Sequence, residues 1–482
     1  MSSSHGATVA IVGGGLAGLA AGCALSDCGV RVTLFERRPY LGGRASSYHH
    51  PATDEVLDNC QHVLFGCCTN LIELYRRIGV LEKIRWSDRM TFIEPGGCTS
   101  ILRSSSLPAP FLTFPSFVKF PFLSMRDKLA ITRAMARLVP YRPRDQGESF
   151  LSWLRRHGQT EMSIQRFWRP ILVSALSEEL DRISVPYAAQ VVRETAKSGL
   201  AREMGIPTIP LSDLYDAARD YILARGGELR MRCGVEGFHP QPDQVTLAIA
   251  DSAESFDFVI VAVPFFALSP LLPSDATAEP LREKLAAFQT SPITGIHLWF
   301  DRQITDLEHA VLLDRTIQWL FHKSKLLVTR PARDIHAGVE GEPEVGAAGL
   351  TSGSYVELVV SASKSLIEQS RAEIIEIALR ELREFLPQAR DAKLLKAAVV
   401  KEVYATYSPL PGIDALRPPT ETVWPRVFLA GDWVATGWPA TMESAVRGGY
   451  LAADAVANNV LHRSTGFFAA DLRSTGFMRF FR

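Results

Sequence analysis

The stretch that most limits what this chain can become is TVAIVGGGLAGLAAGCALSDCGVRVTLFE, residues 8–36. TVAIV (8–12) is a short β-branched run and predicts a buried parallel strand. Gly13, Gly15 and Gly18 follow at once, an Ala- and Leu-rich helix is expected to about Cys28, and VRVTLFE (30–36) predicts a second strand ending in Glu36. Gly13 permits the tight strand-to-helix turn. Gly15 has no side chain to obstruct a pyrophosphate, and Gly18 lets the helix pack close on the sheet. The unpaired N–H groups and positive dipole end of that helix complete a phosphate site. Glu36 stands where a carboxylate can accept hydrogen bonds from an adenosine ribose. Strand, glycines, helix, strand and acid in this order predict a Rossmann-type α/β domain for a dinucleotide with an unphosphorylated ribose, FAD or NAD.

Composition agrees with a large globular protein. The chain has 482 residues, 47% hydrophobic, with 52 Lys+Arg balanced by 52 Asp+Glu. That balance lacks the basic excess of a nucleic-acid binder. Seven cysteines are few and odd in number, which favours a reducing compartment, and a cytoplasmic location is expected. MSSSHGAT has no basic residue of the kind that opens a signal peptide. Val9–Leu25 imitates a membrane span but is glycine-rich and short for one.

Three further segments extend the pattern. RRPYLGGRASS follows Glu36 and carries Gly42, Gly43 and Arg44. FDFVIVAVP (256–264) is an apolar run ending at Pro264, and VFLAGDWVATGWPATMESAVRGGYLAADAV (427–456) reads as a strand, Gly431-Asp432, and a helix from near Thr441. Together these resemble the flavin-dependent amine oxidase and phytoene desaturase superfamily. The resemblance implies FAD, with Gly42, Gly43 and Arg44 at its flavin end. It implies Asp432 at the pyrophosphate or ribityl hydroxyls, and Trp438 to Met442 beneath the ring, with the helix at Thr441 aimed at the N1–O2 edge. Arg37 and Val235 complete the candidate cofactor contacts. No cysteine lies beyond Cys233, so a cysteinyl flavin bond at the C-terminal motif is impossible and FAD there should be non-covalent.

The expected architecture is this FAD domain with a discontinuous α+β substrate domain. Residues 1–85, 205–265 and 405–482 (the last with a C-terminal tail) are assigned to the FAD domain. Residues 86–204 and 266–404 are assigned to the substrate domain. A long amphipathic helix is expected at about 364–386, a proline-rich crossing loop at 405–426, and a mobile small-residue loop at 340–354. No second GxGxxG occurs. A dedicated nicotinamide domain is therefore not expected, and the electron donor must dock from outside.

Within the superfamily, LDNCQHVLFGCCTNLIELYRRIGV (57–80) and GIHLWFDRQI (295–304) resemble the hydroxysqualene dehydroxylases of bacterial squalene and hopanoid synthesis. That resemblance implies a long-chain isoprenoid substrate and reductive dehydroxylation by hydride from reduced FAD. Relatives read Asp-x-Gly before cavity-facing residues, and here Cys60 stands at the glycine position. Asp58, Gln61 and His62 are the catalytic candidates. His62 is expected to protonate the leaving hydroxyl or to order the water that does, with Asp58 either next in line or a backbone brace. A carotenoid-type desaturase, a flavin amine oxidase and a non-catalytic isoprenoid escort protein are the alternatives. Cys60, Cys67, Cys68 and Cys98 give no CxxC pair, so no metal is expected. Cys67 and Cys68 read as small buried residues near a helix start.

Two aromatic regions remain. APFLTFPSFVKFPFLSM places Phe at 111, 114, 117, 120 and 122, and the tail ends with Arg473, Phe477, Arg479, Phe480, Phe481 and Arg482. The phenylalanines suit either the wall of an apolar pocket or a shallow loop dipping into a membrane. The tail suits either a disordered end or a second weak contact, and with the second, peripheral association with the inner face of the cytoplasmic membrane is an expectation.

Overall fold

The computed structural model describes residues 6–140, 143–250, 252–327, 353–462 and 465–481. Thr8–Val12 is the middle strand of a five-stranded sheet, in the order Glu228–Met231, Arg31–Glu36, Thr8–Val12, Phe258–Val261 and Val427–Leu429. Every pairing in it is parallel, and Val12 lies between Phe35 and Val261. The strands come from three widely separated stretches of chain. Their carboxyl ends therefore gather residues 13, 36, 262 and 430 at one edge, where open parallel sheets bind ligands.

The helix Leu16–Ser26 is buried along its whole length. A helix apolar on every face belongs in a core, and this explains why the segment imitates a membrane span. Its small residues admit close neighbours. A Cβ at Gly22 would come within 2.8 Å of Ile222 on the helix Leu211–Leu223, and one at Gly449 within 2.2 Å of Ala17 O. Gly449 belongs to the C-terminal helix Met442–Leu461, which packs along Leu16–Ser26.

A second sheet of seven strands runs Leu394–Tyr407, Thr290–Phe300, Ser354–Ser361, Trp319–Phe321, His309–Leu312, Arg89–Ile93 and Thr99–Arg103. It is antiparallel except where His309–Leu312 meets Arg89–Ile93. The helices Met125–Leu138, Phe150–Arg156, Arg169–Leu176 and Val185–Ala196 follow the helical patterns of the first half of the chain.

Several expectations are revised. The amphipathic stretch 364–386 is two helices, Lys364–Ile367 and Arg371–Phe385, because Ser370 and Glu373 form a capping box that starts a new helix. The run 256–264 is cut at Asp257. Its carboxylate accepts from Thr8 N and Thr8 Oγ1 at 2.8 Å each, so only Phe258–Val261 enters the parallel sheet. Ser252–Phe256 belongs to an antiparallel sheet with Gly237–Pro240 and Val245–Ile249. The stretch 405–426 begins inside a strand and contains the turn Ile413–Leu416. Of the loop expected at 340–354, residues 340–352 lie outside the described residues, and Ser354 opens a strand. Among the described residues no helix is long and apolar enough to cross a membrane.

Candidate functional site

The three motif glycines are distinguished by what an added Cβ would meet. At Gly13, whose φ is +115°, it would come within 2.8 Å of Ala262 O. At Gly18 it would come within 1.9 Å of Gly13 O. At Gly15 it would meet only Gly43 Cα, at 3.8 Å. Gly13 and Gly18 are therefore required by the protein's own packing. Gly15 is not, and its bare backbone leaves room for a ligand at the helix N-terminus. Gly42, at φ +99°, donates its N–H to Gly14 O at 2.9 Å, bringing the second glycine pair onto the first. Glu36 is buried at the strand end, and its carboxylate accepts from Gly14 N at 2.7 Å and Arg38 N at 2.8 Å. Arg37 is exposed, and the neighbouring Arg38 instead reaches Gly43 O at 3.1 Å. Val235 is half-buried, two residues past Cys233, whose N–H donates to Glu36 O at 2.9 Å.

The C-terminal motif closes the other side. Gly431 has φ +148°, and the strand before it ends at Leu429. Asp432 is buried and pairs with Arg44, whose Nη1 also donates to Ala405 O at 3.2 Å. Thr441 caps the long helix by accepting from Ser444 N at 3.2 Å, and Met442 is the first helical residue. The guanidinium of Arg447 lies 4.5 Å from the Trp438 ring centroid. Arg417, in the proline-rich stretch 405–426, carries no sequence signal of its role. Its side chain is fully buried, and it donates to Trp438 O at 2.7 Å, Asp432 O at 2.9 Å, Val434 O and Thr436 Oγ1 at 3.0 Å. One guanidinium, with its five fixed donors, thus shapes the whole loop 432–438.

These residues fit FAD. Gly15 leaves its backbone bare at the helix start, while a Cβ at Gly42 would meet Ala45 O at 2.2 Å and one at Gly43 would meet Gly15 Cα at 3.0 Å, so those two keep the glycine turns packed together. The Glu36 carboxylate and the Arg44–Asp432 pair stand beside the same cradle. The chain holds FAD without a covalent bond. When bound, FAD supplies hydride chemistry, and the protein supplies position and electrostatics.

Beside the cradle runs the segment 58–62. Asn59 Nδ2 donates to Arg44 O at 2.8 Å, which ties the segment to the arginine paired with Asp432. Asp58 accepts from Ser47 Oγ at 2.6 Å, Leu211 N at 3.1 Å and Lys323 Nζ at 2.7 Å. It is a buried anchor, and these bonds leave it no part as a proton donor. Gln61 is committed at both ends, accepting from Lys323 Nζ at 2.8 Å and donating to His62 O at 3.1 Å. His62 is half-buried. Its Nδ1 lies 2.8 Å from Cys60 O, so Nδ1 carries the proton and Nε2 keeps its lone pair. Burial holds the His62 pKa below its usual value, with the Lys323 charge acting the same way. The resting ring is a neutral acceptor, whereas the expectation was a donor.

Lys323 and Glu357 were not foreseen. Lys323 lies within a basic stretch, HKSK (322–325), that reads as surface. Glu357 did leave a signal, an acid inside the apolar strand SYVELVVS. Both are buried.

All seven cysteines are free thiols. Cys67 is buried and Cys68 half-buried just before the helix Thr69–Arg77, as small residues at a helix start. Among the described residues no group of three or more His, Cys, Asp or Glu is placed to hold a metal ion. The phenylalanines divide. Phe117, Phe120 and Phe122 are core residues, whereas Phe111 and Phe114 are 49% and 47% exposed. The tail meets them, since Phe477 N donates to Ala109 O at 2.8 Å and the Phe111 and Phe477 rings are 6.1 Å apart. Arg482 lies outside the described residues.

Comparisons with known proteins identify the family and the fold. Residues 16–457 match the family described as flavin containing amine oxidoreductase. The 15-cis-phytoene desaturase of Synechococcus elongatus is 26% identical over 476 residues, covering 93% of this chain and 95% of that protein. The zeta-carotene desaturase of a Synechocystis species is 26% identical over 488 residues, covering 96% and 99%. Among solved structures, an oxidoreductase from Methanosarcina mazei aligns with a TM-score of 0.68 at 18% identity, covering 92% and 98%. Cyclohexylamine oxidase from Brevibacterium oxydans aligns at 0.67 and 17%, covering 95% and 100%. Those two likenesses show the fold. With the family model spanning nearly the whole chain, this protein belongs to the flavin-containing amine oxidoreductases, and it is a FAD-dependent oxidoreductase.

Proposed function

We propose that this enzyme transfers hydride to a long isoprenoid, converting hydroxysqualene to squalene by reductive dehydroxylation. The two segments that carry the resemblance meet in space, since Gly295 packs against Asn59 O and Cys60 beside the cradle. The relatives named for phytoene and zeta-carotene support a long apolar polyene as the substrate class. The observation that carries the reading is His62. Its Nδ1 is fixed, and its Nε2 has no hydrogen-bond partner among the described residues.

An allylic hydroxyl leaves readily only when protonated. The protein must therefore hold a proton at Nε2, aimed at the leaving oxygen, while an apolar surround keeps water from the resulting cation. Because burial lowers the His62 pKa, the acid form accumulates only below the ordinary histidine range. Dehydroxylation through His62 should accelerate as pH falls. Desaturation through the same atom would use Nε2 as a base and favour neutral or alkaline pH. This second reading keeps a place because the resting tautomer is an acceptor.

Anaerobic single turnover separates the two. Reduced protein mixed with hydroxysqualene should return oxidised flavin and squalene, faster at about pH 5.5 than at about pH 8, and His62→Ala should slow it by roughly 10²–10⁴. Reduction of the oxidised protein by phytoene, with no reaction of hydroxysqualene, would establish the desaturase instead. An insoluble substrate also needs a delivery route. The patch of Phe111, Phe114, Phe477 and Phe480, with Lys119 and Arg479 exposed nearby, supports shallow contact with an anionic bilayer.

A further inference from the structure

Three charges meet in the interior just behind His62. The side chains of Lys323, Asp58 and Glu357 are 2%, 4% and 0% exposed. An ammonium has three N–H groups. Two go to Asp58 Oδ2 at 2.7 Å and Gln61 Oε1 at 2.8 Å, and Glu357 Oε2 lies farther off at 3.4 Å. Asp58 has its two further donors, Ser47 and Leu211. Glu357 is thus the weakly held member.

The other titratable groups facing it are Cys60, Tyr355 on its own strand and, across the strand pair, His297, whose Nδ1 lies 2.8 Å from Tyr355 Oη. None adds charge, since burial and the Glu357 carboxylate push the Tyr355 hydroxyl well above its usual value. Burial pushes the Cys60 thiol well up, and burial with the Lys323 charge pushes His297 down to about 3. With both carboxylates ionised, one cation serves two anions where water does not reach. With a proton on Glu357 the cluster is neutral, and Lys323 belongs to Asp58 and Gln61 alone. Burial, with Asp58 adding, pushes the Glu357 carboxyl up to about 7, so both states are accessible near neutral pH.

We propose that Lys323 is a positioning residue for the cofactor-side segment Asp58–His62, and that the proton on Glu357 sets how firmly it holds that segment. The proposal rests on the reading of the cradle as the FAD site. Asp58 and Gln61 bracket the residues that matter. Asn59 Oδ1 accepts from Ser46 N at 3.2 Å while its Nδ2 holds Arg44 O, and Arg44 pairs with Asp432. When Glu357 releases its proton to solvent, its carboxylate competes for the ammonium. The bonds to Asp58 and Gln61 then loosen, and Asn59, Arg44 and His62 are held less firmly.

The test uses FAD titration of the flavin-free protein and the visible flavin spectrum, from about pH 5.5 to about pH 8.5. Wild type should bind FAD at least about three-fold more weakly at the alkaline end, and its flavin band should shift with one midpoint near neutrality. Glu357→Gln, which keeps the shape of the protonated acid, should hold the low-pH affinity and spectrum throughout. Lys323→Arg should bind FAD more weakly at every pH, since a planar guanidinium cannot reproduce the three-way contact. If Glu357→Gln titrates with the wild-type midpoint, or fails to fold, the proposal is overturned. Wild type that takes up no FAD at all would overturn the cradle reading, and this proposal with it.

Discussion

Around residues 13–18 the protein prepares for its ligand with backbone, and around Lys323 it holds itself together with buried charge. The first region lies within one βαβ unit and is made of absences: a missing Cβ at Gly15, and unpaired N–H groups at a helix start. The second is assembled from residues 58, 61 and 357, which only the finished fold brings within 3.4 Å of the Lys323 ammonium. A site of the first kind is tolerant of its surroundings, because backbone N–H groups carry no net charge to compensate. A site of the second kind depends on every partner, because an ion left alone in a dry interior has no water to turn to.

The sharpest way to break the second region is to remove its cation. Lys323→Met leaves Asp58 and Glu357 to share a buried site without a counter-charge. We expect a loss of about 3–5 kcal/mol in chemical denaturation. A loss below about 1 kcal/mol would show the cluster to be hydrated and the contrast with the cradle to be false.

A smaller effect separates the carboxylates. Glu357 has an ordinary acid pKa in the unfolded chain and one of about 7 in the folded protein. The folded state therefore binds its proton more tightly. That contribution is complete below the unfolded value, near 4.5, and is lost as pH rises through about 7. Glu357→Gln removes the loss. The variant should match wild type at about pH 5 and exceed it by up to about 3 kcal/mol at about pH 8. Equal pH dependence of the two melting curves would place the proton elsewhere.

The smallest expected effect lies far from both regions. Phe114→Ser with Phe480→Ser should weaken co-sedimentation with anionic vesicles while leaving FAD content and stability unchanged, because both side chains are exposed. If neither wild type nor the variant pellets, the patch has no part in membrane contact.

What could be read from the sequence follows the same division. The strand Thr8–Val12, the helix after it, Glu36 and the cap at Thr441 obey rules that act over a few residues: β-branched runs, glycine turns and hydroxyl caps. Lys323 and Arg417 obey none of these. Lys323 sits in a polar tetrapeptide, Arg417 in a proline-rich stretch, and each is explained only by partners that the tertiary fold delivers. His62 was legible as a position but not as a chemical state. Its tautomer depends on a backbone carbonyl two residues away, Cys60 O, and no residue pattern reports that geometry. The phenylalanine run was misleading for the opposite reason. A uniform aromatic sequence is split by the fold, with Phe117, Phe120 and Phe122 in the core and Phe111 and Phe114 outside.

The central claim is that Gly15 is bare for the cofactor and Gly18 for the protein, and a pair of variants tests it directly. Gly15→Val, purified and stripped of any ligand, should show the circular dichroism and melting temperature of flavin-free wild type, yet take up little or no FAD in a titration followed by flavin fluorescence. Gly18→Val should lose at least about 1–3 kcal/mol of stability, because its side chain is forced against Gly13 O. Full FAD occupancy in Gly15→Val would contradict the account and move the phosphate site away from this helix.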